Sequence, residues 1–402
     1  MRLIAKKYII PFILISSLFF VWGFARAVLD VLNKHFQDFL SISISQSALV
    51  QGTTYLGYFL MALPAGIMIT RWGYRAGVVT GLSLFAAGAF LFIPGEYFLS
   101  FPIFLTALFI IGCGLAILET AANPYATELG PPETASSRLN LAQSLNGLGC
   151  ILGPVIVGGF LFARKGNSVA LPYSIMGAAV AVAAVIFSRV KLPEIAREGN
   201  EESNEEEESE TSNYLAAQIK SLWGSGLFRA GVITLFFYEI AEISINSLFI
   251  NYVIDSGWMD KAGASALLSF GALTLFMFAR IIGSAVMSRI RAVKVLFICG
   301  VGATVGALAV AFCSGIVAAA GLFACYLFEA IMFPTIFAIT IAGVKTNVKI
   351  ASSFLMMTPI GGAVGTLLMG MIADTLNIST AFIVPAIAYC AVIIYARRYK
   401  DK

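Results

Sequence analysis

The chain has 402 residues, of which 59% are hydrophobic and only 12% charged, with a net charge of +4. Soluble domains carry roughly 25% charged residues, so this composition excludes a soluble domain and defines an integral membrane protein whose first partner is the lipid bilayer. The small net charge gives no reason to expect nucleic acid. The six cysteines all lie in apolar runs without CxxC spacing, and His35 is the one histidine, so no metal site and no cofactor are expected.

A spanning helix needs about 20 apolar residues. In chain order the sequence predicts twelve, over 8–32, 47–69, 76–94, 101–122, 139–163, 169–189, 229–253, 263–288, 294–313, 316–340, 351–373 and 378–396. The first has a basic start and an apolar run too long for a cleaved signal, so it reads as an uncleaved first span. One long polar break, KLPEIAREGNEESNEEEESETSNYLAAQIKSLWGSG (191–226), separates six helices from six. Its EESNEEEESE tract repels itself and reads as a solvated, disordered linker; LAAQIKSLWG (215–224) reads as a short interfacial helix. The domains are therefore 1–190, a cytoplasmic linker 191–225, and 226–402. With the N-terminus in the cytoplasm, nineteen of the 26 basic residues fall in cytoplasmic segments, and Lys34, Arg164, Lys165 and Lys261 fall opposite. The positive-inside rule then puts both termini and the linker in the cytoplasm.

The halves repeat. Glu119-x4-Pro124 in helix 4 matches Glu329-x4-Pro334 in helix 10. Gly149-x3-Gly153 in helix 5 matches Gly361-x3-Gly365 in helix 11, and Phe19-Phe20 in helix 1 matches Phe236-Phe237 in helix 7. Matches in the same order argue for two parallel six-helix repeats, an all-α fold with substrate bound between the halves near the midplane.

Charges inside spans cost roughly 2.5–3.5 kcal/mol each on insertion scales and are retained for a partner or a cavity. Most here lie on helices 1, 4, 7 and 10, the equivalent helices of the two repeats: Arg26, Asp30, Glu119, Glu239, Glu242 and Glu329, with Arg280 on helix 8. Asp30 follows Arg26 by four residues, so the two share a helix face, which Asn33 extends. They read either as a neutralised structural pair or as a cavity lining where the carboxylate takes polar substrate or a proton. Glu119 ends an apolar run with no basic neighbour on its helix. Desolvation disfavours the charged form of a carboxyl, so an acid there can hold a proton facing oil and release it facing water. The alternative is a permanently protonated Glu bonded to a neighbouring helix. Pro124 and the Gly-Pro-Pro at 130–132 are expected to end that helix. Asn140, Gln143 and Asn146 share one face of helix 5, where amides match sugar hydroxyls or bond between helices. Glu242 and Asn246 are further substrate candidates, and Glu329, Tyr238, Asn33 and Gln51 are secondary ones; Glu329 titrates or pairs with Arg280.

The helix 2–3 loop, GIMITRWGYR (66–75), resembles the signature of the major facilitator superfamily, with Thr70 where Asp is usual. LFFVWGF (18–24), LDVLNKHF (29–36), ALVQGTTYLGYF (48–59), LETAANPYATELGPPET (118–134) and RLNLAQSLNGLG (138–149) are similar to the fucose:proton symporter family of sugar permeases. FPTIFAI (333–339) and SSFLMMTPIGG (352–362) add to the likeness. The resemblance implies a monomeric inner-membrane permease that takes a monosaccharide inward with a proton by alternating access. It implies that Asp30 and Glu119 are the two coupling carboxylates and Asn146 a sugar-contacting amide. The chain departs from that family at Arg26-Ala27-Val28-Leu29, where an Asn-rich stretch is usual, and at Glu242, Asn246 and Phe333, where Gln, Trp and Tyr are usual. Those positions point toward glucose/galactose or amino-sugar cargo. Sodium coupling in the same fold, or a non-transporting membrane sensor, are the alternatives. No P-loop, HExxH or GxSxG occurs, so no enzyme is expected.

Overall fold

A computed structural model describes residues 8–129, 135–163, 168–190, 219–287, 290–344 and 348–400. The acidic tract lies outside the described residues; of the interfacial helix expected over 215–224, residues 219–224 are helical. Long helices account for the rest: α1 (Ile9–Phe39), α2 (Ile44–Ile69), α3 (Arg71–Tyr97), α4 (Phe101–Glu128), α5 (135–163), α6 (Ala170–Arg189), α7 (Gly226–Asp255), α8 (Lys261–Met287), α9 (Ala292–Phe312), α10 (Gly315–Ala342), α11 (Ser353–Thr375) and α12 (Ile378–Arg398). Eleven of these are long and apolar enough to cross a membrane. In α5 the apolar part is the shorter Leu145–Leu161, because its first turns carry Arg138, Asn140 and Gln143. Twelve crossings place both chain ends at one end of the bundle, here the terminal end; the opposite is the far end.

The predicted boundaries change in three places. The connection between helices 2 and 3 is short: the two helices meet at a kink at Gly73, whose φ of 80° and ψ of 170° are open to glycine and strained for other residues. Pro124 does not end α4, which runs on to Glu128. The equivalent proline in the second half does sit beside a break: α10 divides into Gly315–Glu329 and Met332–Ala342. In α5, Pro154 lacks the amide N–H needed for regular bonding, and the helix widens into a π turn over Pro154–Gly158.

The repeat expected from sequence reappears as helix packing. In the first half α1 crosses α5, and a Cβ at Gly149 would stand 2.3 Å from the Phe20 carbonyl oxygen. In the second half α7 crosses α11, and a Cβ at Gly361 would stand 2.3 Å from the Phe236 carbonyl oxygen. The α3–α4 and α9–α10 pairs match in the same way, through reciprocal close approach of Gly81 and Gly114, and of Gly306 and Gly321. Without a strong hydrophobic force between helices in lipid, such small-residue contacts carry the association. Gly149→Leu is therefore expected to push α1 from α5, at a cost of about 1–3 kcal/mol or more. The expected result is a lower Tm in detergent and a fall in folded yield; an unchanged Tm would show that the helices part without penalty.

Burial sorts the helices by position. In the apolar window of α7, 83% is buried, against 28% in α6 and 22% in α8. α7 is thus enclosed by protein, and α8 turns Phe278, Ile281 and Ile282, all more than half exposed, outward to lipid.

Candidate transport site

The buried acids and amides of α1, α2 and α7 meet where the two repeats face each other. The Arg26 guanidinium makes an ion pair with the Glu242 carboxylate across the halves. It also lies 5.8 Å from the centre of the Trp22 ring. Asn246 holds Glu242 from one turn along α7, donating its amide N–H to the Glu242 carbonyl at 3.0 Å and to Oε1 at 3.2 Å. Asp30 takes an N–H from Gln51 of α2 at 2.9 Å. Arg26 and Asp30 are thus not the neutralised pair within one helix that their spacing allowed: the cation has gone to the opposite half. Asp30, Gln51, Glu239, Glu242 and Asn246 are all buried. The carbonyl oxygens Gln51 Oε1 and Asn246 Oδ1 are buried acceptors without a hydrogen-bond partner among the described residues.

Glu119 sits apart from that group, half-buried on α4. It lines a pocket with Leu118 and Ala122 of its own helix and Leu18, Phe19 and Trp22 of α1. Trp22 joins the two places, because its indole N–H donates to Tyr58 of α2 while its ring faces Arg26.

Other candidates are placed differently. Asn146 lies in the α1–α5 contact and donates to the Phe19 carbonyl at 3.3 Å, which is the interhelical use of an amide. The Gln143 and Asn140 side chains lie outside the described residues. Tyr238 is buried with its ring centre 6.3 Å from that of Phe333. Glu329 is fully buried and takes the hydroxyl of Tyr389 from α12. The pairing of Glu329 with Arg280 gives way to a different bond: Arg280 Nε donates at 3.0 Å to the Ala330 carbonyl, exposed by the break in α10. A buried carboxyl stripped of its donor loses about 1–3 kcal/mol. Tyr389→Phe is expected to lower Tm accordingly, and Tyr389→Phe with Glu329→Leu to recover most of it, since two apolar groups leave nothing unsatisfied. Failure of the double variant to recover would give Glu329 a second partner.

The sequence reading did not anticipate the closure of the far end. Asn33, expected to face the cavity, is fully buried and donates to Ser247 of α7, at 3.0 Å to its carbonyl and 2.6 Å to its Oγ. One turn further out, Asn251 donates to Gln37 at 2.6 Å. Lys261 of α8 reaches Asp38 at 2.7 Å. Asp374 of α11 accepts the backbone N–H groups of Ile44 and Ser45 at 3.0 and 2.8 Å. Ser265 donates to the Pro154 carbonyl at 2.8 Å, at the π turn of α5. Every one of these bonds crosses from one half to the other. One signal was available in the sequence: polar residues at 33, 37, 247 and 251 recur one turn apart on α1 and α7.

The fold and the site define a twelve-helix membrane transporter built from two repeats, and the chain belongs to the Major Facilitator Superfamily, whose family model matches residues 12–349. Over nearly their whole lengths, it is 33% identical to the L-fucose-proton symporter of Escherichia coli K12, covering 98% of this chain and 94% of that one. It is equally 33% identical to a glucose/galactose transporter of Brucella abortus, covering 97% and 94%. Among solved structures it superposes on the E. coli fucose:proton symporter, FucP, with a TM-score of 0.74 at 34% identity, covering 98% of this chain and 99% of that one. A FucP structure in the outward conformation gives the same score. A D-xylose-proton symporter shares the fold alone, with a TM-score of 0.71 at 15% identity over 96% and 95% of the chains.

Proposed function

We propose that this protein carries a hexose or deoxyhexose into the cell together with a proton, by rocking its two halves, 1–190 and 226–402, about the site between them. The observation that supports it most is the site itself: buried carboxyls on α1 and α7 beside amide oxygens that lack donors. A sugar brings hydroxyl donors to such acceptors, and a proton removes charge from such carboxyls before the site is enclosed. Relatives of equal identity transport L-fucose with a proton, or glucose and galactose. Asp30, Gln51, Glu242 and Asn246 are the proposed sugar contacts. Glu119 and Asp30 are the proposed proton carriers, with Asn146 reaching the sugar only if α1 and α5 shift. Both termini and the 191–225 linker face the cytoplasm of a bacterial inner membrane, and the far end faces outward, as the distribution of Lys and Arg requires.

Uptake of labelled sugars into vesicles, with and without an inward proton gradient, is the direct test. Accumulation above the outside concentration is expected only with the gradient; accumulation that needs sodium instead, or no gradient at all, overturns proton coupling. A thermal-shift panel of fucose, glucose, galactose and amino sugars on the purified protein identifies the cargo. The glucose/galactose reading is favoured by Glu242 and Asn246, since they rewrite the second half of the pocket.

A further inference from the structure

Arg26 is four residues from Asp30 on α1, yet its carboxylate partner is Glu242 of α7. Asp30 meanwhile is held by the Gln51 amide, a neutral donor. The Arg26 side chain keeps 29% of its surface exposed, against 6% for Glu242, so Arg26 is the less enclosed partner of the pair. The Arg26–Glu242 pair bridges the halves in a structure whose far end is shut by the Asn33, Gln37 and Asp374 contacts. A rocking motion that opens the far end separates α1 from α7 and must break that pair. Arg26 then has one carboxylate within reach on its own helix, Asp30, at the i,i+4 spacing that suits a cation and an acid.

We propose that Arg26 is a two-position switch, paired with Glu242 when the far end is closed and with Asp30 when it is open. This rests on the reading of the protein as a proton-coupled carrier and deepens it. With the far end open and Asp30 ionised, Arg26 is held within the first half. A proton taken up by Asp30 from outside water neutralises it and releases Arg26. The cation crosses to Glu242 and draws the halves together. Release of the proton to water on the other side returns Arg26 to Asp30. No covalent bond other than the O–H of Asp30 forms or breaks.

The surrounding titratable and charged groups bear on this exchange. Tyr55 and Tyr58 face the pair from α2, and Glu119 of α4 lies beyond them near Tyr58. Cys150 faces it from α5 and Glu239 from α7. Arg280 of α8, and Tyr326 and Glu329 of α10, complete the setting. Glu239 is the one other acid on α7 near Arg26, and it lies three residues before Glu242, so it is the natural competitor for the cation.

The test is a double-mutant cycle read on the pH midpoint of sugar counterflow, with the full-length protein in liposomes. Arg26→Gln takes the cation from Asp30, so Asp30 keeps its proton to higher pH and the midpoint moves up by a unit or more. Glu242→Gln leaves Arg26 to Asp30, so the midpoint moves down. In the double variant Glu242 has no cation to compete for, so the midpoint equals that of Arg26→Gln. A double variant that returns to the wild-type midpoint overturns the switch, since two fixed charges acting through space would cancel in that way. Two single variants that shift together overturn it as well, since loss of one static ion pair affects both alike. Arg26→Lys keeps the charge and is expected to stay within half a unit of wild type; a shift as large as that of Arg26→Gln overturns the proposal even where the double variant does not fold. A wild-type counterflow rate independent of pH overturns both the switch and the proton reading. A pH-dependent counterflow without gradient-driven accumulation overturns only the latter, and the four midpoints still decide the switch.

Discussion

Glu119→Gln is expected to abolish gradient-driven accumulation while sparing exchange of labelled for unlabelled sugar. One proton per sugar across one pH unit is worth about 1.36 kcal/mol, which supports roughly tenfold accumulation. A Gln cannot take the proton on from Asp30, so the inside-to-outside ratio should fall to about one. The amide keeps the shape of the carboxyl in the pocket between α1 and α4, so binding and rocking should continue. The placement of Glu119 fits this division of roles. It lies half-buried beside Phe19 and Trp22, whereas its repeat mate Glu329 is fully enclosed and bonded to Tyr389. A variant that does not fold would assign Glu119 to structure, and one that still accumulates sugar would move the coupling to Asp30 or to the acids of α7.

Asp374→Ala is expected to open the far end more often. The Asp374 carboxylate takes two backbone N–H groups of the opposite half, at the start of the short helical turn Ile44–Ser47. Helix starts leave such N–H groups without partners, and a negative charge there is favoured. The bonds exist only while the halves touch, so their loss destabilises the closed arrangement alone. Asp374 is exposed, and a net effect of about 1 kcal/mol, or roughly fivefold in the opening equilibrium, is the expected size. A cysteine at Ser247, fully buried under Asn33, reports on it. Its labelling by a membrane-impermeant maleimide from outside should rise about fivefold. Unchanged labelling would mean that the remaining contacts suffice to hold the far end shut.

The architecture was largely legible in the sequence because lipid imposes a simple code. Each span needs its length of apolar residues, each loop declares its side by Lys and Arg, and the paired Gly-x3-Gly motifs marked α5 and α11 as equivalent helices. Local geometry was less legible. Gly73 read as part of a loop, and that connection is so short that a residue with positive φ makes the kink between the two helices. Pro124 read as a terminator, but a proline only removes one donor, and α4 tolerates that while α10 does not. In the site, chemistry was readable and partnership was not. Arg26 and Asp30 were picked out, and their spacing suggested each other. The competing acid is 216 positions away in sequence and across the interface. No periodicity along one helix can show that. Asn33 was picked out as extending the Arg26–Asp30 stripe, and Asn146 as one of three amides on a helix face. One amide closes the far end and another ties two helices, and only packing distinguishes these uses.

The close glycine approaches have a consequence for how such a protein changes its cargo. Where α1 meets α5, or α7 meets α11, backbone touches backbone and even one added carbon collides. Between the halves the polar contacts come from side chains, an arginine, a few amides, a serine and an aspartate, while Gly370 of α11 lies against the Ser45 backbone. The first kind of joint admits almost no variation, and the second admits a great deal. Side chains of the seam, such as those at 26, 242 and 246, can therefore be exchanged at less steric cost than the glycines at these crossings.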